Sequence, residues 1–139
     1  MDYRQITAPC GLDCFNCSNY LVKDNKETRA ALAERWDVPI ERAFCRGCRN
    51  ESGIVPCFNW NEPCNVYKCI QNKDIDFCSD CPDFPCDHLH PFADRASQAP
   101  HNTKVYNLCL IKKMGVDKWA KTKAKSVNDT YFNAPFRLH

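Results

Sequence analysis

The sequence predicts a mostly α-helical fold in which helices pack around an irregular, cysteine-rich metal-binding segment, with a small α+β fold as the alternative. Helix-forming segments lie on both sides of a region rich in cysteine and proline. Twelve of the 139 residues are cysteines, whereas Leu, Ile, Val and Phe together number only 28. That apolar content is near the lower limit for a chain that must bury a core. Bound metal is therefore expected to supplement the hydrophobic core.

The first long helix is predicted within residues 18–36, because the KETRAALAERW segment is rich in strong helix formers. Ser18 or Asn19 is expected to cap it. Its buried face is expected to comprise Leu21, Ala31, Leu32 and Trp36. A short turn capped by Asp37 should follow, with Ile40, Ala43 and Phe44 pointing inward.

Residues 45–86 are predicted to form loops and single helical turns held by metal. Eight cysteines fall in this stretch, and prolines 56, 63, 82 and 85 interrupt every periodic run. No apolar pattern there is long enough for a helix of more than one or two turns.

Two helices are predicted in the last third of the chain. The first covers 100–114 and ends at Gly115, a residue suited to a helix C-terminus. Its inner face should contain Val105, Leu108, Cys109 and Ile111. The second should bury Val116, Trp119, Ala120, Ala124 and Val127. Both are expected to pack on the helix at 18–36, and the tail from Asn128 is expected to dock through Tyr131, Phe132 and Phe136.

The chain is predicted to be one domain, 1–139, with a cysteine-rich part at 10–86 and a helical part at 87–127. No apolar run approaches the ~18 residues of a membrane span, and the N-terminus lacks the pattern of a secretory signal. We therefore expect a cytoplasmic protein, in which thiols stay reduced and a high cysteine content favours metal binding over disulfides.

The cysteine spacing carries the chemistry. Three C-x2-C pairs occur, at Cys14/Cys17, Cys45/Cys48 and Cys78/Cys81, and this spacing lets two sulfurs turn toward one ion. The predicted metal ligands are Cys10, Cys14, Cys17, Cys45, Cys48, Cys57, Cys64, Cys69, Cys78, Cys81 and Cys86. Zinc is favoured, as two or more ions. An iron–sulfur cluster is the alternative, because Cys10-x3-Cys14-x2-Cys17 is the spacing with which radical-SAM enzymes hold one.

The ordered cysteine blocks resemble a known family. CGLDCFNCSNY at 10–20, CRGC at 45–48, CNVYKC at 64–69 and FCSDCPDFPC at 77–86 are similar to the small cysteine-rich bacterial and archaeal proteins of domain-of-unknown-function family 3795. KKMGVDKWA at 112–120 resembles the helical ending of that family. The resemblance implies metal binding, with zinc as the expected ion, in a compact single domain, and it implies no reaction.

Several ligand pairings remain open from spacing alone. One site would join Cys14 and Cys17 to Cys45 and Cys48. Another would join the pair Cys78/Cys81 to two of Cys64, Cys69 and Cys86. The remaining thiols, Cys10 and Cys57 among them, could hold a third ion with a histidine, and His88 or His90 could replace a thiolate. Cys109 lies outside the blocks and is expected to be a core residue.

The function expected from these patterns is a structural zinc protein that serves as an interaction or regulatory module. Sites closed by four thiolates cannot activate water, which argues against an enzyme. The alternatives are an iron–sulfur or thiol redox protein that handles metal, and a weak nucleic-acid binder using the basic C-terminal helices. Residues 1–94 carry a net charge of −5 and residues 95–139 carry +7. We expect a monomer with an unidentified protein partner, and neither a nucleic acid nor a membrane as partner.

Overall fold

A computed structural model describes residues 1–138, and His139, the last residue of the predicted domain, lies outside the described residues. The fold is mostly α-helical, as predicted, and the described residues contain no β-strand. The α-helices are α1 (Tyr3–Ile6), α2 (Ser18–Leu21), α3 (Lys26–Trp36), α4 (Asn65–Lys73), α5 (Lys104–Met114), α6 (Val116–Trp119) and α7 (Lys125–Asn133). A π-helical turn at Ala120–Ala124 joins α6 to α7 as one continuous helix. Single 3-10 turns lie at Cys14–Asn16, Ile40–Arg42, Pro56–Phe58, Cys78–Asp80, Asp87–Leu89 and His101–Thr103.

The single helix predicted within 18–36 is two helices. The side-chain oxygen of Asn25 accepts hydrogen bonds from the backbone N–H groups of Glu27 and Thr28, which begins α3 afresh. Such a cap satisfies N–H groups that would otherwise lack partners, so the chain leaves helical geometry before it. The predicted buried face is correct for Leu32 and Trp36. It is wrong for Leu21 and Ala31, which are exposed.

The turn after α3 also differs in part from the prediction. Asp37 adopts a left-handed conformation (φ 53°) and ends α3 instead of capping the next turn. Ala43 is fully buried, whereas Phe44 is half-buried. Ile40 is 43% exposed, and no residue of its 3-10 turn, Ile40–Arg42, is buried, so the expected inward position of Ile40 is wrong.

The helix predicted at 100–114 is present as a 3-10 turn followed by α5, and it ends at Gly115 with φ 82°. Leu108 and Ile111 are buried, as expected. Cys109, however, is exposed, so its expected core position is wrong. The reason is Asn107, which is buried and donates a hydrogen bond to the Gly11 carbonyl at 2.9 Å. Because successive residues turn by about 100°, a face centred on Asn107, Leu108 and Ile111 leaves Cys109 outside.

The helix after Gly115 buries Val116, Trp119, Ala120 and Ala124, as predicted, and leaves Val127 half-buried. It continues to Asn133, so residues 128–133 are helical. Tyr131 is half-buried, but Phe132 and Phe136 are 36% and 90% exposed, so the expected docking of the tail is wrong for these two rings. Among the residues described, no helix is both long and apolar enough to cross a membrane.

Two hydrophobic clusters organise the packing. The larger one joins the N-terminal loop to the C-terminal helices, and in it Phe15 meets Trp119 edge to face at 5.9 Å between ring centroids. The smaller one comprises Leu32, Trp36, Ala43, Cys57 and Ala99. The principal contacts of α5 and α6 are with each other, with α1 and with the turn at Cys78–Asp80. The helix α3 packs instead on the turns Ile40–Arg42 and Pro56–Phe58, in place of the expected packing against the C-terminal helices.

Candidate metal-binding site

All twelve cysteines lie within the described residues, and each is a free thiol. The eleven predicted ligands fall into two adjoining groups, which interact through Cys10 and Cys78. The seven-thiol cluster, as we call the first, comprises Cys10, Cys14, Cys17, Cys45, Cys48, Cys57 and Cys64. The cavity cysteines, as we call the second, comprise Cys69, Cys78, Cys81 and Cys86. The exposed Cys109 belongs to neither group.

Within the seven-thiol cluster, the side chains of Cys48 and Cys64 interact through a hydrogen bond. This bond and burial raise the pKa of Cys48, and neighbouring Cys10 and Cys14 raise it further. The same bond lowers the pKa of Cys64, whose thiolate accepts it. Four thiols, those of Cys48, Cys64, Cys10 and Cys14, are therefore close enough to interact electrostatically.

The second half of the seven-thiol cluster comprises three neighbouring thiols, those of Cys17, Cys45 and Cys57. Burial raises the pKa of Cys45 to about 11, and neighbouring Cys17 adds to this rise. Burial raises the pKa of Cys57 to about 12, with further contributions from Cys45 and Cys17. The pKa of Cys14 is raised by burial and then by Cys17, Cys45 and Cys10. Cys14 thus lies between the two halves of the cluster.

Backbone N–H groups point at several of these sulfurs. Gly47 N–H donates to Cys45 Sγ, and Tyr67 N–H donates to Cys64 Sγ, each at 3.4 Å. Burial raises the pKa of both Cys14 and Cys17, and backbone hydrogen bonds act against this rise. The backbone of Cys48 donates to Cys14, and the backbones of Asn19 and Tyr20 donate to Cys17. A donor aimed at a sulfur favours the thiolate, which is the form that binds metal. The opposing effect is burial, which favours the neutral thiol until a cation is present.

Local sequence explains how the N-terminal loop reaches this cluster. Gly11 has φ +87°, and a Cβ there would lie 2.8 Å from both Leu108 Cγ and the Lys104 carbonyl oxygen. Only glycine therefore allows the loop to pass this close to α5. The chain then turns at Cys14–Asn16, where Cys17 N–H donates to the Cys14 carbonyl at 3.0 Å. The turn presents both cysteines of this C-x2-C pair on one side.

Sequence analysis missed Asn19 as a site residue and treated it only as a helix cap. Its buried side-chain amide donates to Cys57 Sγ at 3.0 Å and accepts from Trp36 Nε1 at 3.2 Å. Its backbone carbonyl accepts from Cys45 N–H at 3.1 Å. The available signal was a polar residue two positions after Cys17, which is weak by itself.

The four cavity cysteines line a single cavity of about 200 Å³. Burial raises the pKa of Cys78 to about 12, and Cys10, Cys86, Cys69 and Cys81 raise it further. The apolar walls are formed by Val66, Ile70, Ile75, Phe84 and Leu89. The cavity brings Cys78 and Cys81 together with Cys69 and Cys86, and the pairing of these thiols as ligands of one metal stays a prediction.

Lys73 is the second site residue that sequence analysis missed. Its ammonium group donates to Cys81 Sγ at 3.1 Å and to the Asp83 carboxylate at 2.7 Å. Asp83, followed by Cys81, raises the pKa of Lys73, and Lys73 in turn lowers the pKa of Asp83. A positive charge therefore lies directly against one of the four sulfurs at this cavity.

The histidines differ in their relation to the thiols. His88 lines the cavity, whereas His90 Nδ1 lies 2.7 Å from the Pro91 carbonyl oxygen and outside the cavity lining. His101 makes contacts with the carbonyls of Ala99 and Phe92. Of the two histidines considered as thiolate replacements, only His88 is placed near a thiol group.

Thiols gathered in this way can bind a soft cation as thiolates, with neighbouring amides offsetting their charge. Among residues 1–138, no three His, Cys, Asp or Glu side chains converge in the geometry of a single-ion site. The thiols of each group are neighbours that do not surround one common point. Binding of one ion by four of them therefore requires the sulfurs to move closer together.

A comparison with known families identifies the family of this chain. A family profile described as "Protein of unknown function (DUF3795)" matches residues 6–91, a range that contains all eleven predicted ligands and excludes Cys109. The match does not reach KKMGVDKWA at 112–120. No curated protein and no solved structure matches the chain. Because the profile covers more than half of the sequence, the chain belongs to the DUF3795 family of proteins of unknown function.

Proposed function

We propose that this protein binds zinc through the seven-thiol cluster and uses the metal to hold its irregular N-terminal part in one conformation. The observation that carries the proposal is the set of backbone N–H groups aimed at buried sulfurs, represented by Gly47 to Cys45 and Tyr67 to Cys64. A buried thiol with no cation nearby gains little from such donors, since it is neutral at pH 7. A zinc-bound thiolate gains from each of them.

Burial supports the same proposal. Cys10 and Cys57 are 9% and 0% exposed, and the pKa of each is raised chiefly by burial. The chain contains few Leu, Ile, Val and Phe residues, and seven thiols acting only as small hydrophobic residues would add little to its stability. Bound zinc would neutralise the thiolates and connect loops that few apolar contacts hold.

The number of thiols sets the expected stoichiometry. Zinc in structural sites takes four ligands in tetrahedral geometry, at about 2.3 Å from each sulfur. Seven thiols complete one such site and provide three ligands for a second. The position of Cys14, with neighbours in both halves of the cluster, suits a shared ligand. We therefore expect two zinc ions in this cluster.

The proposed biological role is that of a structural module whose surface contacts a protein partner. Zinc with four thiolates is coordinatively full, so an enzymatic role is not part of the proposal. The twelve free thiols suit a reducing compartment such as the cytoplasm. A monomer is the proposed form.

Metal analysis of untagged protein, purified without added zinc, tests the proposal. The expected result is about two zinc ions per chain in the wild type. Cys48→Ser should lose at least one of them, because Cys48 interacts with three other thiols of the cluster. Cys109→Ser is the matched control, with the same substitution at an exposed position, and should keep both. Wild-type protein that contains no zinc and takes up none when it is supplied would overturn the proposal.

A further inference from the structure

We propose that the four cavity cysteines, Cys69, Cys78, Cys81 and Cys86, form a second and chemically different site that holds an iron–sulfur cluster. The proposal is independent of zinc binding by the seven-thiol cluster, because the two ligand sets share no residue. It rests on three observations: the space between the sulfurs, the apolar walls of the cavity and the cation at one sulfur.

Space is the first observation. Four thiolates that bind one zinc ion at about 2.3 Å close around it and leave no room between them. The four cavity cysteines instead border about 200 Å³ of space. An apolar cavity of about 150 Å³ is large enough to bind benzene, so this volume accommodates a multi-atom group. Four cysteine ligands around a multi-atom inorganic group is the arrangement of iron–sulfur proteins.

The apolar walls are the second observation. Val66 and Ile70 of α4 face Leu89 and Phe84 across the cavity, together with Ile75. Ile70 and Leu89 are 2% and 3% exposed, so these walls are fixed parts of the larger hydrophobic cluster. Apart from the four thiols, the polar residues of the lining are Lys73, Asp83 and His88. A cluster anchored by its own metal–sulfur bonds needs few further hydrogen bonds, and the apolar part of the lining shields it from water.

The cation at Cys81 is the third observation. Lys73 Nζ lies 3.1 Å from Cys81 Sγ and is held there by Asp83 at 2.7 Å. Four thiolates and an iron–sulfur core carry net negative charge, and a nearby ammonium group offsets part of it. Hydrogen bonds to ligand sulfurs are also a principal control of the reduction potential of such clusters. Lys73 is therefore assigned as a positioning residue that sets the potential, not as a ligand.

Position in the chain matches this assignment. Cys69 lies on α4, Cys78 and Cys81 flank a 3-10 turn, and Cys86 follows in the next loop, where it is exposed. Three ligands therefore come from a short loop and the fourth from a stable helix. The exposed Cys86 places one corner of the cavity at the surface, which gives iron and sulfide a route of entry.

The test is anaerobic reconstitution of the full chain with ferric iron, sulfide and excess dithiothreitol as the reductant, followed by analysis of bound iron, acid-labile sulfide and visible absorption. The wild type should become brown and retain iron and sulfide in equal amounts after desalting. Cys78→Ser and Cys86→Ser should each lose most of the colour. Cys48→Ser and Cys109→Ser, which change a thiol outside the cavity, should keep it. Because Cys86 is exposed, its replacement leaves the hydrophobic cluster intact. Cys86→Ser therefore still tests the proposal if Cys78→Ser fails to fold.

A second measurement separates the role of Lys73 from mere support of the fold. Lys73→Met should keep the wild-type content of iron and sulfide but lower the reduction potential, because an ammonium group stabilises the reduced, more negative cluster. Glu62→Gln, which removes the partner of a lysine away from the cavity, is the control and should leave the potential unchanged.

Three results would overturn the proposal. They are a wild type that remains colourless after reconstitution, equal loss of colour in the Cys78 and Cys109 variants, and zinc that is bound by wild type and lost specifically in Cys86→Ser. The zinc proposal is tested by a separate measurement, the zinc content of the wild type and of Cys48→Ser. Either proposal can therefore fail while the other stands.

Discussion

The side-chain amide of Asn19 donates a hydrogen bond to Cys57 Sγ at 3.0 Å while its oxygen accepts one from Trp36 Nε1 at 3.2 Å. Asn19 is 5% exposed, so neither partner has access to water as a substitute. Cys57 belongs both to the seven-thiol cluster and to the smaller hydrophobic cluster that contains Trp36. A single amide thus connects the thiols to the packing of α3.

Asn19→Ala is expected to lower the free energy of unfolding by about 2 kcal/mol. It removes two buried hydrogen bonds, each worth about 1 kcal/mol net, and leaves the indole N–H of Trp36 without a partner. Urea denaturation measures the change. Asn133→Ala is the control, because Asn133 is exposed at the end of α7 and should change stability little. Equal stability of the two variants would show that Asn19 has no structural role.

The contacts of Asn19 could not be predicted from sequence, because they join residues that are distant in the chain. The C-x2-C spacing shows that Cys14 and Cys17 can turn toward one ion, since this depends on a local turn. Which distant thiols they meet depends on packing. Cys57 lies in the turn Pro56–Phe58, on which α3 packs, and there it has Cys17 and Cys45 as neighbours. No local pattern encodes that contact.

Helix faces show the same division. The apolar spacing of Val116, Trp119, Ala120 and Ala124 predicted their burial correctly, because one side of that helix is consistently apolar. In α5 the buried face includes a polar residue, Asn107, whose partner is a carbonyl far away in the chain. A prediction from apolar residues alone therefore placed Cys109 on the buried face in place of Asn107. Likewise, the predicted cap at Ser18 or Asn19 is wrong, because both residues lie inside α2 and Asn25 caps α3.

Cys48 and Cys109 provide a matched pair for a second prediction. Cys109→Ala should leave metal content unchanged and stability within about 0.5 kcal/mol, because the side chain is exposed on α5. Cys48→Ala should lose metal and stability together, since Cys48 interacts with Cys64, Cys10 and Cys14. Metal analysis and thermal unfolding measure both effects. In intact protein, iodoacetamide should modify Cys109 before any thiol of the seven-thiol cluster. Equal metal loss in the two variants would contradict the assignment of Cys109.

Metal removal is the subject of the third prediction. Chelation should unfold residues 45–64 of the cysteine-rich stretch before the C-terminal helices, because 45–64 contains no α-helix and only one 3-10 turn within the described residues. Structural zinc contributes on the order of 10 kcal/mol of apparent folding free energy in small zinc modules. The helix α5 and the helix after Gly115 keep their own apolar contacts through Leu108 and Trp119, both fully buried.

Hydrogen exchange with peptide-level resolution distinguishes these parts. After verified removal of metal, amides in 45–64 should lose protection, whereas those of α5 should retain most of theirs. Reconstitution with zinc is the control and should restore protection in 45–64. Unchanged exchange throughout the metal-free chain would contradict a structural role for the metal.

The basic C-terminal helices allow a last prediction, on nucleic acid. Lys118, Lys121 and Lys125 would align at i, i+3 and i+7 on a regular α-helix. The π turn at Ala120–Ala124 disturbs that register, because its hydrogen bonds span five residues instead of four. Lys125 is also paired with Asp129 at 2.9 Å, which offsets part of its charge. The lysines therefore form no single stripe that could follow a phosphate backbone.

We accordingly expect only weak, sequence-independent binding to DNA or RNA, lost by about 200 mM salt as counterion release requires. Fluorescence anisotropy with a short labelled duplex, over a series of salt concentrations, measures it. Replacement of Lys118, Lys121 and Lys125 by Glu should change affinity at low salt only, and replacement of Lys23, Lys26 and Lys68 by Glu is the control with the same change in net charge. Submicromolar binding at 200 mM salt, abolished by the triple variant and retained in the control, would instead require one continuous basic surface. The disturbed register between α6 and α7 would then have to be regained on binding, by conversion of the π turn to α-helix.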